Sequence, residues 1–441
     1  MNAVVSRTDG LLAVPNTGTR SLDTLAYFAL WGFVLVLPWS DSIPLLGQFV
    51  LGRWLGLLAA LLGVLRFFVA GAGRRLSPVH LWMVAFVAWA GLSIVWTIDR
   101  DSTIVRLGTY AQLLVAAWLI WELAATETRV VRLLEAYAFG AGLGSISILQ
   151  NYRSGRAAGD FTGGAGGSVW DQGRYTIAGF NANDLGLTLA LSIPIIFYLL
   201  TRKKGIAWAA LLWGLLSLVI AAILLTGSRG SLLAVGAGAL MLPFMMARMP
   251  AAKRIVCVCL AIAVVTACVV LAPGGVGERY QGILAEMRGG TLTHRTLIWT
   301  AGLDVFRLHP LAGAGAGAYG AAVVRAIDVP YVAHNTFLSV LVELGIVGVL
   351  VLGGLLLTLI YYAVRMRSPE KYLWLAILLT WSVGVAALTW EYRKPTWFIF
   401  GALAAHACSR RTAAAIRPQV RLPEPHWTPA WQQDPRTVVN L

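Results

Sequence analysis

Long apolar stretches recur along the 441 residues and alternate with short polar connections. A helix needs about 20 largely apolar residues to cross a bilayer. About twelve such stretches are present, centred near 25–39, 49–69, 80–97, 106–124, 130–150, 184–201, 205–226, 231–248, 254–273, 335–364, 371–390 and 395–408. The pattern therefore predicts an all-α, polytopic membrane protein with about 12 transmembrane helices.

Two connections are much longer than the others and are candidates for functional loops. Residues 151–183 are rich in glycine, and residues 274–334 form the longest polar segment. Within the second, the stretch from Thr293 to Leu308 has the periodicity of a short helix. We predict one transmembrane domain over residues 1–408 that includes both loops. The polar tail at 409–441 is expected to be disordered.

The distribution of charge predicts how the chain is oriented. Only 12% of the residues are charged and 58% are hydrophobic, whereas roughly a quarter of a soluble domain is charged. With a cytoplasmic N-terminus, most Lys and Arg residues fall in cytoplasmic connections, as the positive-inside rule requires. We therefore expect both termini in the cytoplasm and both long loops in the periplasm of a bacterial inner membrane. Basic loops on an anionic leaflet account for the net charge of +15, so no nucleic-acid partner is expected.

A set of polar and glycine residues collects on the predicted outer side. In chain order it comprises residues 179–184, Ser228-Arg229-Gly230, Arg295, His309-Pro310, Gly313, Gly315, Gly317 and His334-Asn335-Thr336-Phe337-Leu338. In order, spacing and common placement these residues resemble the O-antigen ligase and O-antigen polymerase superfamily of polytopic bacterial enzymes. The resemblance covers roughly residues 175–350; the first five spans match only in being apolar.

The resemblance implies a GT-C-type glycosyltransferase fold with a long periplasmic loop and a role in lipopolysaccharide biosynthesis. A ligase of this family transfers a glycan from undecaprenyl pyrophosphate to a sugar hydroxyl of lipid A–core on the periplasmic side. The essential histidine of the family falls on His334, and its arginines fall on Arg295 and Arg229. Family members need no metal, and no other cofactor is implied.

The residue types suit this chemistry. A neutral imidazole such as that of His334 can take a proton from an acceptor hydroxyl near neutral pH. The guanidinium groups of Arg229 and Arg295 can each form paired hydrogen bonds to phosphate oxygens. The alternatives are structural: His334 as a helix-capping residue, Arg229 as an interfacial arginine, and Arg295 in a cation–π contact with Trp299.

Further outside residues are weaker candidates for the same site. Arg174 and Arg288 are additional candidate pyrophosphate ligands. Asn335, Asn181 and Asn183 could position a substrate, although Asn is also a favoured N-cap residue. Glu343 lies about 13 Å into its span, where an acid is usually paired or functional. The outside acids are scattered, without an Asp-x-Asp pair, which argues against a divalent metal clamp.

Three other functions compete with the ligase hypothesis. An O-antigen polymerase would use the same donor, and the spacings from Arg153 to Gly164 and from Arg279 to Gly290 fit polymerase loops. Such spacings arise easily in glycine-rich segments. A protein O-oligosaccharyltransferase usually carries a sizeable C-terminal region on the outer side. It is less favoured, because the tail here is short and predicted to be cytoplasmic. A polytopic transporter usually shows repeat symmetry and ionisable residues near the midplane; here the polar residues gather in outside loops, so an enzyme is favoured.

Overall fold

The computed structural model describes residues 17–40, 42, 44–46, 49–71, 73–161, 173–202, 205–247, 249–270 and 295–416. Three predictions concern residues outside this set. These are Arg288 as a pyrophosphate ligand, Thr293 as the start of a helix, and disorder of the tail beyond residue 416.

The described part of the chain is helical apart from one short hairpin. The α-helices are α1 (Thr17–Val36), α2 (Leu51–Ala70), α3 (Pro78–Leu92), α4 (Arg100–Leu123), α5 (Glu127–Arg153), α6 (Ala182–Ala190), α7 (Ser192–Thr201), α8 (Gly205–Leu225), α9 (Arg229–Ala239), α10 (Leu242–Met245), α11 (Ala251–Val270), α12 (Arg295–Leu308), α13 (Tyr319–Ile327), α14 (Thr336–Arg365), α15 (Glu370–Val385) and α16 (Lys394–Ile416). Three 3-10 helices lie at Leu37–Trp39, Ser93–Val95 and Ala158–Phe161. The strands β1 (Pro44–Leu46) and β2 (Phe49–Val50) pair antiparallel. The last helix continues past the predicted domain boundary at residue 408.

Seven stretches of the described residues are long and apolar enough to cross a membrane. They are Arg20–Trp39, Leu51–Ala70, Pro78–Val95, Arg100–Leu123, Ala182–Thr201, Gly205–Leu225 and Thr336–Arg365. Each of the apolar stretches found in the sequence overlaps a described helix, but some of these helices are short; α15, for example, has 16 residues. The helical, membrane-spanning class is confirmed, and the count of about twelve spans stays a prediction.

The core of the bundle is apolar and contains several large aromatic side chains. Trp374, Trp381 and Trp390 are among the largest fully buried side chains. α4 packs against α16, α3 against α14, and α9 against α15. The first and second halves of the chain therefore share one core.

Helix α14 is broken near its start, and a loop from the preceding segment fills the break. Gly345 has the non-helical angles φ 66° and ψ −167°. The amides of Ala314 and Gly315 donate to the carbonyls of Val342 and Glu343 at 2.8 and 2.9 Å, and the amide of Ile346 donates to the carbonyl of Pro310 at 2.9 Å. Irregular backbone at membrane depth is tolerated where protein satisfies its polar groups. The loop at 309–318 supplies those partners.

Glycine is required where this loop meets the break. Gly313 and Gly345 both have positive φ, 72° and 66°. A Cβ on Gly313 would collide with the backbone of Glu343, and one on Gly345 would collide with the backbone of Leu311. Only glycine permits both this conformation and this approach of two backbones. The alternating glycines of the sequence are therefore packing residues of the loop.

Candidate functional site

Three helices that carry predicted site residues begin at the same end of the bundle, and each begins with a polar cap. Asn181 caps α6 by accepting from the amide of Asn183, at 2.8 Å. Ser228 caps α9, and its hydroxyl lies 2.8 Å from that of Ser231. Asn335 caps α14 by accepting from the amide of Leu338, at 3.1 Å. Capping accounts for the local geometry of Asn181 and Asn335; their positioning roles stay predictions.

The turn between α15 and α16 is tied to this end by side-chain hydrogen bonds. The hydroxyl of Thr336 donates to the carbonyl of Leu388 and accepts from the amide of Trp390, both at 2.8 Å. The indole Nε1 of Trp390 donates to Oδ1 of Asp184 at 2.7 Å. The start of α6, the start of α14 and this turn are thus held together next to His334.

His334 occupies an unusual backbone conformation. Its φ is +46°, in the left-handed region that non-glycine residues adopt infrequently. Ala333, the residue before it, is held by α12, because Trp299 Nε1 donates to the Ala333 carbonyl at 2.9 Å. The residue after it is the cap of α14. Such a conformation persists where its surroundings determine it, and strained conformations cluster at functional sites.

The electrostatic surroundings favour a neutral imidazole at His334. Burial and the positive charge of Arg295 lower its pKa below the ordinary value, while the charge of Asp184 acts in the opposite direction. Burial also lowers the pKa of the Arg295 guanidinium. Within the part of the chain that the structure describes, no side-chain hydrogen bond engages the imidazole. A neutral, unengaged imidazole can accept a proton.

The structure brings some predicted residues together. Arg295, the first residue of α12, lies within electrostatic range of His334. Arg229 is the first residue of α9 and is partly exposed. The two helices α6 and α9 meet close to it, because the Ser231 hydroxyl reaches the carbonyl of Asn183 at 3.5 Å. Arg229 and Arg295 therefore each stand at a helix start of this end of the bundle, which the sequence predicts to be the outer end.

The proposed contact between Arg295 and Trp299 is absent. Both residues are described, and no cation–π contact joins them; Trp299 uses its indole to hold Ala333 instead. The structural explanation offered for Arg295 from the sequence is therefore wrong. The ring sits one helical turn after Arg295 and serves the backbone beside His334.

Arg174 and Asn183 form a buried structural contact. The side chain of Arg174 is nearly fully buried; its Nε donates to the carbonyl of Thr226 at 2.9 Å and its Nη2 to Oδ1 of Asn183 at 2.7 Å. These bonds fix the Gly-rich loop against the starts of α6 and α9. Binding of pyrophosphate by Arg174 and substrate positioning by Asn183 stay predictions.

A buried cluster of charges lies deeper in the bundle, below this end. Nη1 of Arg106 is 2.7 Å from Oε1 of Glu391 and 3.6 Å from Oε2 of Glu343. Glu343 also accepts from the amide of Gly317 at 2.6 Å. Glu343 thus has the bundle partner expected of a buried acid, and it holds the glycine loop in place. With two carboxylates facing one guanidinium, burial and Glu343 raise the pKa of Glu391 to about 7, although Arg106 opposes this.

Sequence reasoning missed Arg106, Glu391 and Arg393 as members of this region. Arg393 pairs with Asp184, its Nη2 lying 2.9 Å from Oδ2. The available signal was the charged run Glu391-Tyr392-Arg393-Lys394 between two apolar spans. Arg106 gave no local signal, because its partners are distant in sequence.

Among the residues described, no group of three or more His, Cys, Asp or Glu side chains could hold a metal ion. The charged groups that act on the pKa of His334 are Arg295 and Asp184, a cation and an acid rather than an acidic pair. The cationic side chains of this end are candidates for contacts to phosphate, because guanidinium groups match the geometry of phosphate oxygens.

Fold and site together define a polytopic membrane protein with a polar, cation-bearing end. Residues 214–353 match the family model described as O-antigen ligase, which supports membership of the O-antigen ligase family. Members of this family are membrane glycosyltransferase-like enzymes, ligases or polymerases. Together with the apolar helices, the match points to a bacterial membrane protein. No curated protein sequence matches the chain with significant similarity.

The matched segment runs from within α8 to residue 353, just past the middle of α14. It contains Arg229, Arg295, His334 and Glu343. Asp184 and Arg393 lie outside it, on either side. Residues before and after the matched segment therefore also belong to this region, because Asp184 bonds to both Arg393 and Trp390.

Proposed function

We propose that the protein is an O-antigen ligase. It transfers a glycan from undecaprenyl pyrophosphate to a sugar hydroxyl of lipid A–core, at the periplasmic face of the inner membrane. The observation that carries the proposal is the placement of His334: a partly buried imidazole with a left-handed backbone, next to Arg295 and inside the segment that matches the family.

In the proposed reaction the acceptor hydroxyl oxygen bonds to the anomeric carbon of the donor sugar. The bond from that carbon to the pyrophosphate oxygen breaks, and undecaprenyl pyrophosphate leaves. His334 takes the hydroxyl proton as general base. Arg229 and Arg295 bind the pyrophosphate, whose charge increases as the bond breaks.

The orientation, the twelve-span count and the GT-C-type fold belong to the same proposal. The starts of α6, α9 and α14 share one end of the bundle with the 309–318 loop. The basic residues at 74–75, 129–132 and 365–371 lie at the opposite end, before α3, in the first turns of α5, and around the connection between α14 and α15. Single cysteines at Gly166 and Gly289, in a background without the four native cysteines, should react with an impermeant maleimide in intact spheroplasts. A cysteine at Ala251 is the cytoplasmic control and should react only after lysis. The reverse pattern would contradict the orientation.

The function is tested with purified protein and a defined lipid-linked glycan donor. Lipid A–core and a second lipid-linked repeat unit are offered together as competing acceptors, and products are identified by mass. We expect the glycan on lipid A–core. Extension of the repeat unit would indicate a polymerase, and transfer to neither acceptor would overturn the proposal.

A further inference from the structure

Arg393 is a cation of the outer end that the family match does not include. Its Nη2 lies 2.9 Å from Oδ2 of Asp184, and its side chain is 41% exposed, compared with 16% for Asp184. Its guanidinium carbon also lies 5.0 Å from the centre of the Tyr392 ring. The group is therefore held by an acid and an aromatic ring, yet it remains accessible from outside the bundle.

The acid that holds Arg393 also acts on His334. The Asp184 charge opposes the lowering of the His334 pKa by burial and Arg295, so the two groups are within electrostatic range. The backbone links them as well, through Trp390, which bonds to Asp184 and to Thr336, two residues after His334. Arg393 is thus linked to the surroundings of His334 through Asp184, whereas Arg295 acts on the same imidazole from a separate segment.

Stability alone is a weak reason for this arrangement. A partly exposed ion pair contributes only about 0–1 kcal/mol to folding. Asp184 is nevertheless fixed on both oxygens, one by Trp390 and one by Arg393. A restrained guanidinium loses less side-chain freedom on binding an anion, and it matches the geometry of phosphate oxygens. The contacts suit a group that is prepared for an anionic ligand.

We propose that Arg393 is a further binding residue for the donor pyrophosphate and that Asp184 is its positioning residue. This inference rests on the proposed function. Arg393 adds a guanidinium to Arg229 and Arg295 as proposed ligands of the pyrophosphate, whose negative charge increases as it leaves.

The test measures binding of undecaprenyl pyrophosphate to the full-length protein in nanodiscs of zwitterionic lipid, by the change in tryptophan fluorescence. Arg393→Gln should weaken binding about ten- to a hundredfold, as expected when a charged hydrogen-bond partner is removed. Arg393→Lys keeps the charge without the planar fork and should lie in between. The matched control is Arg307→Gln, because Arg307 is 73% exposed on α12 and pairs only locally with Asp304 among the described contacts. It should bind as wild type does.

Asp184→Asn separates positioning from direct contact. If Asp184 acts by holding Arg393, the Asp184→Asn/Arg393→Gln double variant should bind no more weakly than Arg393→Gln alone. Melting temperatures identify a purely structural pair. The inference would be overturned if Arg393→Lys bound the lipid as tightly as wild type and Arg393→Gln had a lowered melting temperature. Inorganic pyrophosphate should compete with the lipid, whereas anionic phospholipid should not; competition by the phospholipid alone would indicate a headgroup site instead.

The failure of this inference differs from the failure of the proposed function. If wild-type protein binds undecaprenyl pyrophosphate and Arg393→Gln binds it equally well, only the role of Arg393 is overturned. If wild-type protein binds no undecaprenyl pyrophosphate and transfers no glycan, the ligase proposal fails and this inference fails with it.

Discussion

The indole Nε1 of Trp299 donates a 2.9 Å hydrogen bond to the carbonyl of Ala333, the residue immediately before His334. Trp299 lies in α12 and Ala333 lies just before α14, so the bond joins two segments that are 34 positions apart in the chain. Tyr319 of α13 adds a second link, since its hydroxyl donates to the carbonyl of Ile298 at 2.9 Å. The conformation of His334 therefore depends on α12 and α13, whose 14 and 9 residues are fewer than a transmembrane span needs.

Removing this bond should impair catalysis more than stability. Trp299→Phe keeps an aromatic ring but loses the donor, at a cost of about 1 kcal/mol or roughly fivefold in rate. We expect kcat for glycan transfer to fall by about that factor while the melting temperature changes little. Trp82→Phe is the control, because Trp82 is 36% exposed on α3, away from this site. Equal kcat in both variants would show that the indole does not position His334.

His334→Gln should abolish most transfer while preserving the fold. Glutamine keeps the size and hydrogen-bonding capacity of histidine but cannot act as a base, and loss of a general base costs about 10²–10⁴-fold. Binding of undecaprenyl pyrophosphate should persist, since the arginines carry it. His309→Gln, at an exposed histidine near the same end, should leave turnover unchanged. Near-normal turnover of a folded His334→Gln protein would end the general-base hypothesis.

The acid limb of the pH profile should lie below the ordinary histidine pKa of 6.5. Burial and Arg295 both disfavour the imidazolium, so His334 stays neutral to lower pH, and kcat/KM should fall only when the pH drops through that lowered pKa. Arg295→Gln removes a positive charge and should move the midpoint of the limb upward. A midpoint that Arg295→Gln leaves in place would separate Arg295 from the titrating group.

Transfer should proceed in excess EDTA. The proposed site meets pyrophosphate with guanidinium groups, and no divalent cation takes part in the proposed steps. We expect the initial rate to be the same with chelator and with added magnesium, whereas Arg229→Ala should lose most activity in both conditions. A rate that chelator removes and magnesium or manganese restores would contradict this prediction.

Glu391→Gln should be tolerated better than the loss of Arg106. The raised pKa of Glu391, about 7, means that its protonated form is favoured by folding. The stabilisation is complete below the ordinary pKa of 4.5 and is lost as pH rises through about 7. The melting temperature of wild type should therefore fall across this range, and Glu391→Gln should reduce that fall.

Two comparison variants complete this test. Arg106→Gln leaves two buried acids without their cation and should cost about 3–5 kcal/mol. Glu127→Gln changes a partly exposed pair with Arg202 and should leave the pH dependence as in wild type. A fall with pH that persists unchanged in Glu391→Gln would assign the titration to another group.

The helical class could be read from the sequence because a bilayer imposes a length and a polarity on every span. α12 was also predictable, since its 3.6-residue periodicity is local; the structure places it at Arg295–Leu308, within the predicted stretch. The break at Gly345 was not predictable, because a single glycine within a largely apolar span is compatible with a continuous helix. Its cause is the distant loop that bonds to Val342 and Glu343.

The candidate site divides in the same way. His334 and Arg229 were found because each lies beside a predicted span boundary, and Arg295 because it lies in the longest loop; all three belong to a recognisable motif pattern. The pairing of Asp184 with Arg393 joins residues 209 positions apart, and no spacing rule reports such contacts. The burial of Arg174 was missed for the same reason, since a loop arginine gives no sign that a carbonyl and an amide will enclose it.

The bonds between the 309–318 loop and the break in α14 have a consequence for how this chain can change over evolution. Deleting one residue between Pro310 and Gly315 would displace the amides that donate to the carbonyls of Val342 and Glu343. Backbone groups inside the bundle would then lack hydrogen-bond partners. A length change in the loop must therefore be accompanied by a compensating change in the helix. We expect homologous chains to insert and delete residues freely elsewhere on this face, while these two segments keep a fixed length as a pair.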